Sequence, residues 1–490
     1  MSEQLPEKIG ASAQLLQAET VRSVSSWMPP KVKGDEKKFN FASIKIKKNK
    51  ARQKKKFKGF IFSTSRDFYR KYLKQFAPAR WIVQCIWRSL YPLYLNFSFL
   101  FLRNKERRWR PLISFSAYSK MRGLATYKLT DAECVITPAP MVFPVEDQSY
   151  LESPHDQYDF PEVSVMLAEN AMVYGGSNFV FVDGSVVCHD LFDAVRDYTS
   201  EELHGRAIVF PRLKRIRWLL HDEEPAKLSI AATFVDACAP NYAHWMTEVL
   251  PRIALFCADE RHKKIPIVIN DDLHENILHS LLDVAGFERK IFALPVGKAI
   301  AVNELYITSV AGYVPFERRK KKGIGHSHGK FNPHAFDVLA SCLSYLDNKI
   351  EEENWPEKIF IRRNSGTRIV INSREIEELL VTQGYEIVEP EKLTFSQQVQ
   401  LFRNAKTVVA SSGAALANII FLSRDAQVFI LIGKYPDTCY WYWQNIACAS
   451  GRVINYIFGA LQRNYNRGIH SDFVVDLDEL LLSIGYVEKS

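Results

Sequence analysis

KIFIRRNSGTRIVINSREIEELLVTQGYEIVEPEKLTFSQQVQLFRNAKTVVASSGAALANIIFLSRDAQVFILIG, residues 358–433, decides the fold. KIFIRR, YEIVEP, KTVVASS and QVFILIG are short, apolar and rich in Val, Ile and Phe, and read as buried strands. SREIEELLVTQG, FSQQVQLFRNA and GAALANIIFL carry helical spacing, the first stopped by Gly384. Strands alternating with helices at this spacing predict a parallel, doubly wound sheet.

In such a sheet the loops after the strands gather at one edge. TVVASSGAALAN predicts a strand, two serines and a glycine, then a helix start. Gly413, Ala414 and Ala415 leave the backbone open to an anion, Ser411 and Ser412 supply hydroxyl donors, and Asn418 follows one turn on. The alternative is that these small residues pack the helix close to the sheet. KIFIRR ends in Arg362 and Arg363, and Arg368 follows within the same loop, so three guanidinium groups fall beside the serine loop. A solvated basic loop is the competing reading. Glu389, at the end of YEIVEP, lies on the same edge, either to hold ribose hydroxyls or to cap the following turn.

Upstream, residues 161–325 read as a second lobe. VSVMLAENAMVYGGSNFVFVDGSVVCHD alternates apolar and polar residues with turns at Gly175-Gly176 and Asp183-Gly184, a strand meander. LSIAATFVD, KIPIVIND and NELYITS read as strands. NYAHWMTEVLPRIALFCAD reads as a helix capped by Asn241, and ENILHSLLDVAGF as one ended by Gly286. His244, Glu248 and Arg252 follow one another at helical-turn spacing and share a face. His244 or Glu248 could act as a base with the other orienting it, and Arg252 supporting. A Glu248–Arg252 surface ion pair is the plain alternative. Pro251 inside the helix predicts a kink. His and Glu at this spacing lack a third metal ligand.

The rest of the chain bounds the setting. It has 490 residues and a net charge of +9, and Lys31–Lys58 holds thirteen Lys/Arg against two acids. The basicity therefore belongs to residues 1–78, read as a largely disordered arm that is solvated, with binding to an anionic membrane next and binding to nucleic acid last among the alternatives. Residues 79–110 contain WIVQCIWRSLYPLYLNFSFLFLR, too interrupted to span a bilayer, and suit a helix lying in the membrane interface or a buried hairpin. Residues 111–160 read as a connection, the basic loop 317–330 as a lobe boundary, and 471–490 as a closing helix. No signal peptide is evident and the eight cysteines are scattered singly, which suits a cytoplasmic, reduced protein peripheral at the inner membrane.

The meander, the HWMTEVLPR block, IFIRRNSGTRIVINSREIEELL and YEIVEPEKLTFSQQVQLFRNAKTVVASSGAALANIIF, taken in order, resemble glycosyltransferase family 61 of the bacterial surface-polysaccharide type. The resemblance implies an α/β, GT-B-like fold of two Rossmann-like lobes with a cleft between, the acceptor lobe at 161–325 and the donor lobe at 326–470. It implies an inverting hexosyl- or pentosyltransferase that carries a sugar from a nucleotide-sugar donor to a glycan or lipid-linked glycan in capsular or cell-surface polysaccharide synthesis. Neither cofactor, metal nor nucleic acid is expected. His244 and Glu248 are then catalytic, and the diphosphate lies on Arg362, Arg363, Arg368, Ser411–Ala415 and Asn418. Three positions depart from the family pattern: Ser412 stands where a histidine is usual, Ala415 where a glycine is usual before the leucine, and Ser373 where a glutamate often follows the asparagine. A catalytically inactive glycan- or partner-binding assembly protein is the alternative they raise.

Overall fold

The computed structural model describes residues 108–151, 156–222, 224–318, 329–346, 355–435, 441–462 and 471–487, with single helical positions between 78 and 97. The basic arm, most of the 79–110 segment and positions 319–328 of the basic loop lie outside these residues. Among the described residues no helix is long and apolar enough to cross a membrane.

The protein is a mixed α/β structure built on two large sheets. The carboxyl-terminal sheet has the order Glu386–Val388, Lys358–Ile361, Thr407–Ser411, Gln427–Gly433, Val453–Leu461. All five are parallel, and Ile361 lies opposite Ala410. Numbered along the chain, the order is 2-1-3-4-5, so the winding reverses between Lys358–Ile361 and Thr407–Ser411. In doubly wound sheets the loops leaving two such strands part at a crevice on the carboxyl edge, and ligands are held there. Two further strands border Val453–Leu461: Met141–Phe143, parallel, and Phe473–Val474, antiparallel.

The other sheet has eleven strands. Ala299–Thr308, Ala226–Thr233, Ile267–Asn270 and Ile291–Leu294 run parallel. Val163–Tyr174 joins them antiparallel to Ala299–Thr308 and leads into hairpins. The two-residue turn at Asp183-Gly184 has φ of 49° and 76° at its centre, as a tight hairpin requires. The segment expected as a connection with short strands, 111–160, contributes to both sheets: Trp109–Ser114 pairs with Ser185–Cys188, and Met141–Phe143 pairs with Val453–Leu461.

The sheets share a core. One buried apolar cluster runs from Phe234, Trp245 and Ile253 through Phe331 and Leu339 to Val408, Leu416 and Ile430. Polar bonds cross it: Tyr242 Oη donates to Asn418 Oδ1 at 2.7 Å and Asn276 Nδ2 to the Leu393 carbonyl at 2.9 Å. On the far face of the carboxyl-terminal sheet, Leu480 and Ile484 of the last helix, Leu477–Val487, pack with Ile376 and Leu380.

Candidate active site

The serine loop and the arginine loop leave adjacent strands at the switch point, and their side chains meet. Arg363 lies over Gly413, where an added Cβ would sit 2.3 Å from Arg363 Nη1. Its Nε donates to the Thr367 carbonyl at 3.0 Å and its Nη2 to Ser365 Oγ at 3.1 Å. Arg368, held at a φ of 57°, donates from Nη1 to Ser412 Oγ at 3.4 Å. The Nε of Arg368 and the Oγ of Ser411 are buried without partners. Among the described residues, the ion pairs of this edge involve Arg362 but neither Arg363 nor Arg368. Burial and the facing charge of Arg368 push the Arg363 guanidinium down to about 10, and burial also lowers Arg368. Two neighbouring cations, both lowered by burial and one also by the charge of the other, with buried donors unfilled, describe a place for an anion.

Arg362 is differently placed. It forms a two-pronged pair with Glu377, at 2.8 and 2.5 Å, and lies 3.7 Å from Glu389. Glu389 also accepts from Lys392 and from Asn364 Nδ2 at 2.8 Å. Burial would raise the Glu389 carboxyl, but these donors and charges outweigh it and hold it below its ordinary range. Both side chains expected at the phosphate and the ribose are therefore engaged with protein groups.

Asn418 likewise faces inward. It is fully buried, accepts from Tyr242 and donates to Gln398 Oε1 at 2.9 Å. The segment expected as an α-helix start, Ala414–Phe421, is a 3-10 helix. Its tighter winding turns Asn418 by about 80° relative to an α-helix over the four residues from Ala414.

In the other sheet's half, the expected helix is α-helical at Tyr242–His244, π-helical at Trp245–Val249 and α-helical again over Leu250–Ala258. Asn241 caps it by accepting from Ala243 N. Pro251 has no N–H to offer the Thr247 carbonyl one turn back, so the π turn precedes it in place of a simple kink. Gly312 packs on that carbonyl, and a Cβ there would meet it at 2.2 Å.

Across the wide turn His244 Nδ1 bonds Glu248 Oε1, with both side chains only 14% exposed. Glu248 Oε2 accepts from the Val314 N–H at 3.3 Å. Burial alone would lower the imidazole, but the Glu248 carboxylate and the charge of Asp236 override it, and the His244 pKa is raised. Among the described residues Arg252 makes no surface ion pair; it is buried, its Nε lacks a partner there, and its guanidinium lies 5.4 Å from the Phe234 ring centroid. Asp236, buried at the carboxyl end of its strand, faces Glu248 and Arg252, and burial and Glu248 raise its carboxyl. Among the described residues no three His, Cys, Asp or Glu side chains are grouped to hold a metal ion.

The two groups of residues are joined by a pair that the sequence reading passed over. Tyr442 and Trp443 begin the helix Trp441–Ala449. Trp443 Nε1 donates to Ser412 Oγ at 3.1 Å. Tyr442 bonds the Thr247 side chain and lies within electrostatic reach of both Glu248 and Arg368. Asp236 was passed over as well. The available signal was positional: WYW follows the Gln427–Gly433 strand and VDA follows Ala226–Thr233, both on carboxyl edges.

Residues 242–429 match the family model described as Glycosyltransferase 61. Over that span the chain is similar to glycosyltransferase family 61, and the similarity makes it a glycosyltransferase. The matched span holds the His244–Glu248 helix, both arginines and the serine loop, and stops just before Tyr442 and Trp443. A comparison with curated proteins returned no match.

Proposed function

We propose that this glycosyltransferase moves a sugar, with inversion, from a nucleoside diphosphate sugar to a glycan hydroxyl, holding the diphosphate between Arg363, Arg368 and the Ser411–Ala415 turn. The observation that carries the proposal is the pair of partly buried, carboxylate-free guanidinium groups beside the unpartnered Ser411 hydroxyl. The two-sheet architecture is read as GT-B-like, with the donor on the carboxyl-terminal sheet and the acceptor on the other.

His244 serves as the base and Glu248 as its orienting partner. With Nδ1–H donated to Glu248, the Nε2 lone pair is left for the acceptor. As Nε2 takes the hydroxyl proton, the acceptor oxygen bonds the anomeric carbon from the face opposite the leaving group. The bond from that carbon to the diphosphate oxygen breaks, and its electron pair leaves with the diphosphate. Arg363 and Arg368 balance the charge that develops there. Asp236 acts on the base through its charge, and Arg252 on Glu248 and Asp236 through its own. The step draws on protein groups alone, without metal or cofactor.

The acceptor class, a capsular or other cell-surface glycan, lipid-linked or free, rests on the family resemblance and not on the geometry. So does attachment at an anionic membrane through the basic arm and residues 79–110. A panel of nucleotide sugars screened by thermal shift selects the donor, and NMR of the product assigns the new anomeric centre. An inverted linkage supports the proposal, and a retained one overturns its mechanism.

A further inference from the structure

Ser412 Oγ receives two hydrogen bonds, from Trp443 Nε1 at 3.1 Å and from Arg368 Nη1 at 3.4 Å. A serine hydroxyl has two acceptor lone pairs and one proton. With both lone pairs engaged, only the proton remains to be placed, and among the described residues no protein acceptor takes it. The residue is 4% exposed, so bulk water is a poor alternative. Its neighbours, Ser411 Oγ and Arg368 Nε, are also donors without partners.

The two donors to Ser412 are unequal. Arg368 is a long, charged side chain that an incoming phosphate attracts, and its contact is the longer one. Trp443 is neutral, buried to 6% exposure, and set edge-on against Tyr442 with ring centroids 4.6 Å apart. Its indole has one N–H and no acceptor. When an anion draws Arg368 toward itself, the indole bond is the one that stays.

We infer that Trp443 is a positioning residue for the diphosphate: by holding one lone pair of Ser412, it fixes the hydroxyl rotor so that the Ser412 proton is donated to a phosphate oxygen. The inference rests on the diphosphate reading above and adds to it a residue beyond the matched span. No covalent change at Ser412 is involved. The hydroxyl donates one hydrogen bond, which strengthens as charge gathers on the leaving oxygens.

The test is binding of inorganic pyrophosphate to the full chain by titration calorimetry, with thermal midpoints confirming that each variant is folded. Trp443→Phe is expected to weaken binding about tenfold, and Ser412→Ala by a similar factor. The double variant should be no weaker than either single one, because both remove the same bond. Ser412→Thr, which keeps a hydroxyl, should lose less than Ser412→Ala. Wild-type affinity in Trp443→Phe, or a loss that persists in the Ser412→Ala background, overturns the inference. Should Trp443→Phe fail to fold, equal affinities for Ser412→Ala and Ser412→Thr overturn it. Arg363→Ala separates the two levels. If it loses pyrophosphate while Trp443→Phe does not, only the role of Trp443 falls. If it binds as the wild type does, or if the wild type binds none, the diphosphate site falls and Trp443 with it.

Discussion

Arg363 Nη1 occupies the space that a Cβ on Gly413 would fill, 2.3 Å from where that carbon would be built. The glycine is thus required by the arginine above it and not by its backbone, whose φ of −173° any residue adopts. Gly413→Ala should push the guanidinium aside without straining the chain. The expected result is a thermal midpoint close to the wild type and a KM for the donor raised about tenfold, read by steady-state kinetics.

Arg362 and Arg363 are adjacent in sequence and opposite in consequence. Arg362→Ala strips the Glu377 carboxylate, 7% exposed, of its two-pronged partner. Leaving a buried charge uncompensated costs about 3 kcal/mol, so this variant should unfold at markedly lower denaturant. Arg363→Ala should keep its stability and lose donor turnover by about 100-fold. Chemical denaturation alongside kinetics distinguishes them, and a reversed pattern contradicts the assignment.

His244 is raised because the Glu248 carboxylate and Asp236 favour the imidazolium more than burial disfavours it. A base must be deprotonated to act, so kcat/KM should rise with pH and level off above the raised His244 value. Glu248→Gln removes the largest favourable charge. The imidazole pKa then falls, and the acid limb of the profile should move to lower pH, while the plateau drops at least tenfold because the ring has lost its orienting carboxylate. An acid limb that stays in place, or moves upward, excludes His244 as the titrating group.

Asn418 bonds Tyr242 and Gln398 inside the shared core. Asn418→Ala should therefore cost about 2 kcal/mol of stability and leave the donor KM within about twofold. A large KM effect with unchanged stability would return this residue to the donor site.

How much of this was legible in the sequence differs by element. The carboxyl-terminal sheet could be read because its strands are buried on both faces and its helices are short, so apolar runs and Gly384 punctuate it clearly. The approach of the two loops followed from the strand order. The division of labour among the arginines did not, because it depends on Glu377, which lies on the following helix and reads as an ordinary exposed acid. Asn418 was misplaced because an α-helix was expected where the chain winds as 3-10. Pro251 marked a disturbance, yet a kink and a π turn share that signal. Trp443 lies far enough along the chain from the Gln427–Gly433 strand that the sequence hides which edge its helix faces. Ser412, which the family resemblance marks as standing where a histidine is usual, looked like a loss from sequence alone, whereas in the structure its hydroxyl accepts from Trp443 and Arg368.

The most direct measurement is a crystal structure of the chain with a nucleoside diphosphate bound. The account predicts diphosphate oxygens within hydrogen-bond distance of Arg363, Arg368 and the Ser411–Ser412 hydroxyls, at the crevice between the Lys358–Ile361 and Thr407–Ser411 strands. A nucleotide seated elsewhere, with that crevice closed by the two arginines, would contradict it.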